Sequence, residues 1–304
     1  MSHLEKFSSI ETIMEQLESN RYIADQLLAT VIYLSYHMNK PIFLEGEPGV
    51  GKTEVAIVLS QIFESRLIRL QCYEGLDASS ALYEWNYPKQ LLRIKMDEQS
   101  DRTPDEIGQV IYSEPYLLKR PLLDAILSSQ NDHPVLLIDE LDRADEEFEA
   151  FLLEILSDFQ VSIPEIGTLK ATHKPLVVIT SNRTRDIHDA LKRRCLYHWI
   201  DFPDFDTEYQ IVKLKVPGIS DYLSRQVVAA AQGLRQADLF KPPGVAETLD
   251  WANALLALDT NMLDETIINN TLGVLLKYQD DVQLVQNNLL ADLAERANAN
   301  TSTP

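Results

Sequence analysis

The sequence predicts an α/β chain in which a doubly wound parallel sheet lies between helices, followed by a second, all-α domain. Three observations lead there. Five short apolar, β-branched runs stand out: "PIFLE" (41–45), "LIRLQ" (67–71), "PVLLID" (134–139), "PLVVITS" (175–181) and "LYHWID" (196–201). Helical patterns separate them, as in "GKTEVAIVLSQIF" and "DEEFEAFLLEILSDF". After Pro203 no further strand pattern occurs, and apolar residues recur at 3–4 spacing to the end.

Each element has a physical reason. Continuous apolar runs of this length fit strands buried on both faces of a parallel sheet. Strand–helix alternation fits a doubly wound α/β domain. One interval is too long for a crossover: about 60 residues separate the second and third runs. The segment "LYEWNYPKQLLRIKMDEQSDRTPDEIG" must therefore carry an insertion, with an exposed loop expected over its polar middle, Asp97 to Glu106. Its aromatics either face a partner or pack Trp85 and Tyr87 on the core. The segments "DTEYQIVKLKV", "SDYLSRQVVAAAQGLRQ", "GVAETLDWANALLAL", "DETIINNTLGVLLKY" and "DDVQLVQNNLLADLAERA" read as helices, with Ser220 or Asp221 and Asp264 as N-caps. The expected organisation is an α/β nucleotide-binding core over 1–204, a helical domain over 205–290 and a disordered tail over 291–304.

Charge narrows the function classes. The 304 residues carry a formal net charge of −20, with a sequence pI near 4.6. Such a surface repels phosphate backbones and anionic lipid, so neither direct nucleic-acid binding nor membrane insertion is expected. The acid is uneven. From Val245 onward nine Asp/Glu face only Lys277 and Arg296, so a basic protein partner is compatible. Cys72 and Cys195 lie far apart and offer neither a disulfide framework nor zinc spacing, which fits a reducing compartment. The first twenty residues lack an apolar signal-peptide core, and no apolar run approaches the ~20 residues of a membrane span. A soluble, cytoplasmic protein is expected.

The chemistry is carried by four stretches. Gly46-Glu47-Pro48-Gly49-Val50-Gly51-Lys52-Thr53 matches GxxxxGK[ST] in full, after a strand and before a helix. Glycines let backbone N–H groups converge on phosphate oxygens, and the following helix adds its N-terminal partial charge. Lys52 reaches the terminal phosphates, and the Thr53 hydroxyl ligates Mg²⁺. Chance would produce the pattern in about one such chain in a hundred, so a plain Gly-rich turn is the weaker reading. "VLLIDELDRAD" ends a strand in Asp139-Glu140: Asp139 suits the Mg²⁺ and Glu140 the base that orients attacking water. "VVITSNRT" ends another strand at Asn182, whose amide could orient that water. In "DALKRRCLYHWIDFP", Arg193 and Arg194 either cap a helix C-terminus or serve as an arginine finger for a neighbouring subunit's γ-phosphate; Arg194 is the first choice.

Together these motifs, over about residues 20–290, resemble the AAA+ ATPases. The resemblance places Walker A at 46–53, Walker B at 135–140, sensor 1 at Asn182 and the finger in "KRRC". It implies an AAA+ P-loop NTPase core with a parallel five-stranded sheet, a helix-2 insert, a pre-sensor-1 hairpin at "FQVSIPEIGTLKA" and a small all-α lid. Within that group "LQCYEGLDASSALYEWNYPKQLL" and "LFKPPGVAETLDWANAL" are similar to the MoxR family, CoxD-like branch. That similarity implies ATP and Mg²⁺, a hexameric homo-oligomeric ring, a von Willebrand factor A partner, and a client enzyme complex whose metal centre is matured or remodelled. The chain departs from the pattern once: many AAA+ lids start their third helix with a sensor-2 arginine, and "KPPGVAETLDW" has none, leaving Lys241 or Arg235 as substitutes. The rival reading is a nucleotide-dependent switch or scaffold with little turnover. A GTPase is disfavoured because no N/T-K-x-D element is evident, and an ABC-type ATPase because no LSGGQ-like signature occurs.

Overall fold

The computed structural model describes residues 7–97, 102–128 and 133–299. The chain divides into two compact units that are not contiguous in sequence. One holds the chain up to Gln16, Gln26–Glu45 and Thr53–Trp199; the other holds Leu17–Asp25, Gly46–Lys52 and the chain from Ile200 onward. The phosphate loop thus packs with the helical unit, a grouping that a division drawn along the sequence at 204 does not express.

The first unit is built on a parallel five-stranded sheet. Its strands are β1 (Ile42–Gly46), β2 (Leu67–Gln71), β3 (Val135–Asp139), β4 (Leu176–Ser181) and β5 (Leu196–Ile200), in the order β2-β3-β4-β1-β5. All five apolar runs become strands. Only β1 and β3 are buried along their whole length, and β4 at all but its first residue. The edge strands depart from the expectation of burial on both faces. In β2, Ile68 and Leu70 are buried while Arg69 and Gln71 are exposed, because successive side chains of a strand point to opposite faces and one face of this edge strand is left uncovered. Register aligns the strand ends: Gln71 pairs with Asp139, and Glu45 with Ser181. The polar residues that end β1–β4 therefore share the carboxyl edge, where ligands of open α/β sheets bind.

The long interval folds as an insert. A short antiparallel ribbon, Tyr83–Trp85 against Leu117–Lys119, encloses helices Tyr87–Asp97 and Pro104–Ile111. The exposed loop expected over 97–106 is largely helix ends. Asp97 is buried and accepts from Arg93 and Arg102, and Thr103 and Glu106 form a reciprocal capping box that starts the second helix; 98–101 lie outside the described residues. The two aromatics separate. Trp85 is buried edge-on against Tyr112, whereas Tyr87, Leu91, Leu92 and Met96 of the following helix are all exposed. A second hairpin, Gln160–Ile163 with Gly167–Lys170, precedes β4 as expected.

The second unit contains helices Phe205–Lys215, Asp221–Arg235, Val245–Ala257, Glu265–Leu275, Gln279–Asn288 and Leu290–Ala299. Ser220 and Asp264 cap as their side chains dictate, accepting from Leu223 N–H and Ile267 N–H. Trp251 centres the core, fully buried, its indole N–H on the Thr271 hydroxyl at 2.8 Å. The disordered tail expected over 291–304 is corrected: Leu290–Ala299 is a helix that buries Leu293, Ala294 and Ala297. Its apolar residues recur at 1, 3 and 4 spacing and supply a face for the Asp221–Arg235 helix. Residues 300–304 lie outside the described residues, as do 1–6 at the other end. Among the described residues, no helix is long and apolar enough to cross a membrane.

Candidate active site

In the first unit the site is assembled at the carboxyl edge of the sheet. Asp139 ends β3, is almost fully buried, and is held by three donors. The Thr53 hydroxyl donates to its Oδ1 at 3.0 Å, the Thr180 hydroxyl to the same oxygen at 2.6 Å, and Arg69 Nη2 to Oδ2 at 2.5 Å. Three donors on one buried carboxylate satisfy its oxygens and hold it in one orientation. The next residue, Glu140, takes a left-handed backbone conformation at φ 55°, ψ 51°. A non-glycine residue there costs about 1–2 kcal/mol. The Thr180 hydroxyl accepts the Glu140 N–H at 2.9 Å and so holds the turn. The Glu140 carboxylate receives Gln71 Nε2 at 2.9 Å, Arg143 Nε at 3.0 Å and Asn182 Nδ2 at 3.4 Å.

A third acid supports the edge. Asp142 is buried and accepts from the backbone N–H groups of Asn182 and Thr184 and from the Thr184 hydroxyl at 2.6 Å. Burial alone would push its carboxyl up, but these hydrogen bonds outweigh burial and hold it below its ordinary 3.8. The Asn182 backbone is thereby fixed beside Glu140. Cys72, whose N–H donates to the Asp139 carbonyl, has its thiol pushed up to about 12 by burial and by the Asp139, Asp142 and Glu140 carboxylates. Cys195 is pushed up to about 12 by burial as well, so neither thiol is a nucleophile at neutral pH.

In the second unit the phosphate loop is preorganised around Lys52. The lysine is buried, and its Nζ donates to the Gly46 and Glu47 carbonyls at 2.8 and 2.7 Å. Gly49 and Gly51 hold positive φ of 80° and 95°, which turns successive N–H groups inward. A Cβ at Gly46 would stand 2.2 Å from the Ile200 carbonyl oxygen, so only glycine fits. The same unit contains an open cavity of about 500 Å³ lined by Glu18, Ile23, Tyr209, Gln210, Lys213 and Leu214. The proposed sensor-2 substitute Arg235 is committed elsewhere. Its guanidinium is buried in a two-pronged pair with Glu208 at 2.6 Å and donates to the Pro243 carbonyl at 2.8 Å. Lys241 is exposed.

The structure thus brings together Thr53, Asp139, Glu140 and Asn182 in one unit, and gathers Gly46, Glu47, Pro48, Gly49, Val50, Gly51 and Lys52 in the loop that leads directly to Thr53. It does not bring Arg193 or Arg194 to this chain's own carboxylates. Both are exposed and precede β5, at the amino edge of the sheet. Three strand spacings, ~14 Å, separate β5 from β3. Five residues were missed in the sequence: Arg69, Gln71, Asp142, Thr180 and Thr184. The alternation in "LIRLQ" carried a signal for the first two, since a polar residue at every second position of a strand marks one polar face. Nothing local in the sequence shows that this face meets Asp139 and Glu140.

The donor set fits a nucleoside triphosphate with a divalent metal. A hydroxyl and a carboxylate oxygen 3.0 Å apart are hard ligands of the kind Mg²⁺ takes alongside phosphate oxygens. Among the described residues no cluster of three or more His, Cys, Asp or Glu could hold a metal alone, and Mg²⁺ shared with phosphates needs none.

The fold and this site define a P-loop ATPase of the AAA+ type. The chain belongs to the AAA domain family, dynein-related subfamily, whose family model matches residues 41–195, from before β1 to the approach to β5; it is an ATP hydrolase by class. An uncharacterized protein of Staphylococcus haemolyticus is 25% identical over 279 residues, covering 88% of this chain and 97% of that one. An uncharacterized protein of Staphylococcus aureus is 26% identical over 262 residues, covering 83% and 90%. Among solved structures, the Thermotoga maritima RuvB Holliday junction branch migration motor aligns over 88% of this chain and 71% of its own, at 16% identity and a TM-score of 0.44.

Proposed function

We propose that this chain is a MoxR-type AAA+ ATPase that couples ATP hydrolysis to remodelling or maturation of a partner complex. The observation that carries the catalytic part is the edge of the sheet itself: Asp139 clasped by Thr53 and Thr180, next to Glu140 in reach of Asn182. In this reading Lys52 and the loop N–H groups bind the phosphates, and Thr53 and Asp139 hold the Mg²⁺, which neutralises phosphate charge when bound. Glu140 takes the proton of the attacking water, Asn182 orients that water, and Arg194, with Arg193 as alternative, acts on the neighbouring subunit's nucleotide. AAA+ members commonly form rings, and a hexamer is the expected assembly here. The client is sought among metalloenzyme complexes with a von Willebrand factor A partner, because the segments Leu70–Leu92 and Leu239–Leu255 are similar to the CoxD-like branch. A cytoplasmic site of action accords with that client class.

The rival, a switch with little turnover, draws on the engaged state of Glu140, whose carboxylate meets Arg143 and Gln71. Turnover decides between them. Glu140→Gln is expected to bind ATP with near wild-type affinity and to lose at least about a hundredfold in turnover, since an amide cannot accept the proton. Lys52→Ala is expected to lose ATP affinity on a folded protein. Wild-type turnover in Glu140→Gln removes Glu140 as the base; a wild-type ring that hydrolyses ATP no faster than Glu140→Gln supports the switch. Proteins that co-purify with ATP-loaded Glu140→Gln identify the client.

A further inference from the structure

The third long helix of the helical unit, Val245–Ala257, begins in direct backbone contact with the phosphate loop. The Ala246 N–H donates to the Gly49 carbonyl at 3.1 Å. A Cβ on Gly244 would stand 2.7 Å from the Pro48 carbonyl oxygen and 2.9 Å from Gly49 Cα, so no side chain fits between the two segments. Glu247 completes the contact. Its Oε2 accepts the Gly244 N–H at 2.9 Å and lies 2.9 Å from the point where a Gly49 Cβ would stand. A carboxylate is therefore anchored against the wall of a loop whose chemistry is anion binding. An arginine at this helix start would attract phosphate. This chain has "PPGVAE" there, and Arg235 is neutralised by Glu208, so the charge next to the loop has the opposite sign.

We propose that Glu247 is a specificity-determining positioning residue that reads the charge of the nucleotide in the phosphate loop and weakens binding of the triphosphate relative to the diphosphate. The proposal rests on the reading that this loop binds ATP. Each added phosphate charge is repelled by the fixed, half-buried carboxylate, so the penalty is larger for ATP than for ADP. The same repulsion strains the Ala246–Gly49 hydrogen bond when ATP is bound and relaxes it once hydrolysis and phosphate loss leave ADP. The helical unit thus registers the nucleotide state through a carboxylate and a main-chain contact.

The test measures equilibrium affinities of ATP and of ADP, each in competition with a fluorescent ADP analogue, on the full chain and on Glu247→Gln at low and high salt. Glutamine keeps an acceptor for the Gly244 N–H, so a residue that only caps the helix would leave both affinities unchanged. The expected result is ATP bound about three- to tenfold more tightly by Glu247→Gln, ADP tightened less, and the gain shrinking as salt rises. Unchanged or weaker ATP binding in Glu247→Gln, with wild type binding normally, overturns the proposal alone. Wild type that binds no ATP overturns the ATPase reading and this proposal with it. Amide exchange adds a second readout: Gly244→Ala is expected to deprotect the Ala246 N–H while leaving the Trp251 region protected. Unchanged Ala246 protection in that variant overturns the direct contact on which the proposal stands.

Discussion

Asp142 shows how a single side chain can fix a site without touching the chemistry. Its carboxylate gathers the N–H groups of Asn182 and Thr184 and the Thr184 hydroxyl. Its hydrogen bonds hold it below its ordinary value. A depressed carboxyl contributes stability that is fully present above the unfolded value near 3.8 and is lost as pH falls through the folded value. Asp142→Asn should therefore lower stability at neutral pH by about 1–3 kcal/mol, because an amide cannot accept all of these donors, and should flatten the acid limb of the stability curve below about pH 4. Urea unfolding across pH checks this; an acid limb identical to wild type would show that Asp142 does not titrate in this way. Glu140 illustrates the opposite trade. Its left-handed backbone costs stability, and the Thr180 hydroxyl, shared between Asp139 and the Glu140 N–H, holds the strained turn in place.

At the scale of elements, the insert divides into a structural part and a presented part. Trp85 is packed against Tyr112 beneath the ribbon, and Trp85→Ala should cost about 3–5 kcal/mol if the ribbon unfolds with the core. Leu91 and Leu92 are each 60% exposed, so Leu91→Ser with Leu92→Ser should leave the melting temperature within about 2 °C of wild type. Basal ATP turnover should survive the double change as well. Calorimetry on both variants checks the division, and a large loss in the double variant would place that helix face in the core. Removing 97–106 is not the neutral loop deletion that polarity suggests. It takes away Asp97, which pairs with Arg93 and Arg102, and the Thr103–Glu106 capping box. Loss of the helix Pro104–Ile111 is the expected result, visible as lost amide protection there.

For the whole molecule, the proposed finger role of Arg194 sets what the active unit would have to be. An arginine at the amino edge before β5 and a Glu140 at the carboxyl edge of β3 cannot serve one nucleotide within one chain. If Arg194 is the proposed finger, it needs a second copy across a heterologous interface, the kind of contact that forms a ring when its rotation closes. Arg194→Ala should lower turnover by about 10³ with little loss of ATP binding. Mixing Arg194→Ala subunits with Lys52→Ala subunits should restore part of the activity, since some interfaces then join an intact loop to an intact finger. Mixed rings without recovery would count against action in trans, and a fully active Arg194→Ala ring would remove the residue from the site.

The sequence by itself determined the elements and the catalytic vocabulary. The five apolar runs, the full GxxxxGK[ST] loop, Asp139-Glu140 after four aliphatics, Asn182 at a strand end and the Ser220 and Asp264 caps are all local patterns, set by side-chain period and backbone chemistry within a few residues. Tertiary structure alone decided which strands are edges, and hence that Arg69 and Gln71 of β2 reach the Asp139 and Glu140 carboxylates. It also decided that Arg235 is consumed by Glu208, and that Gly244 and Glu247 close on Gly49 from about 200 residues away. The reason is the same in each case. Strand order and helix packing are fixed by contacts between distant segments, and a polar side chain's role depends on which distant backbone or charge it finally meets.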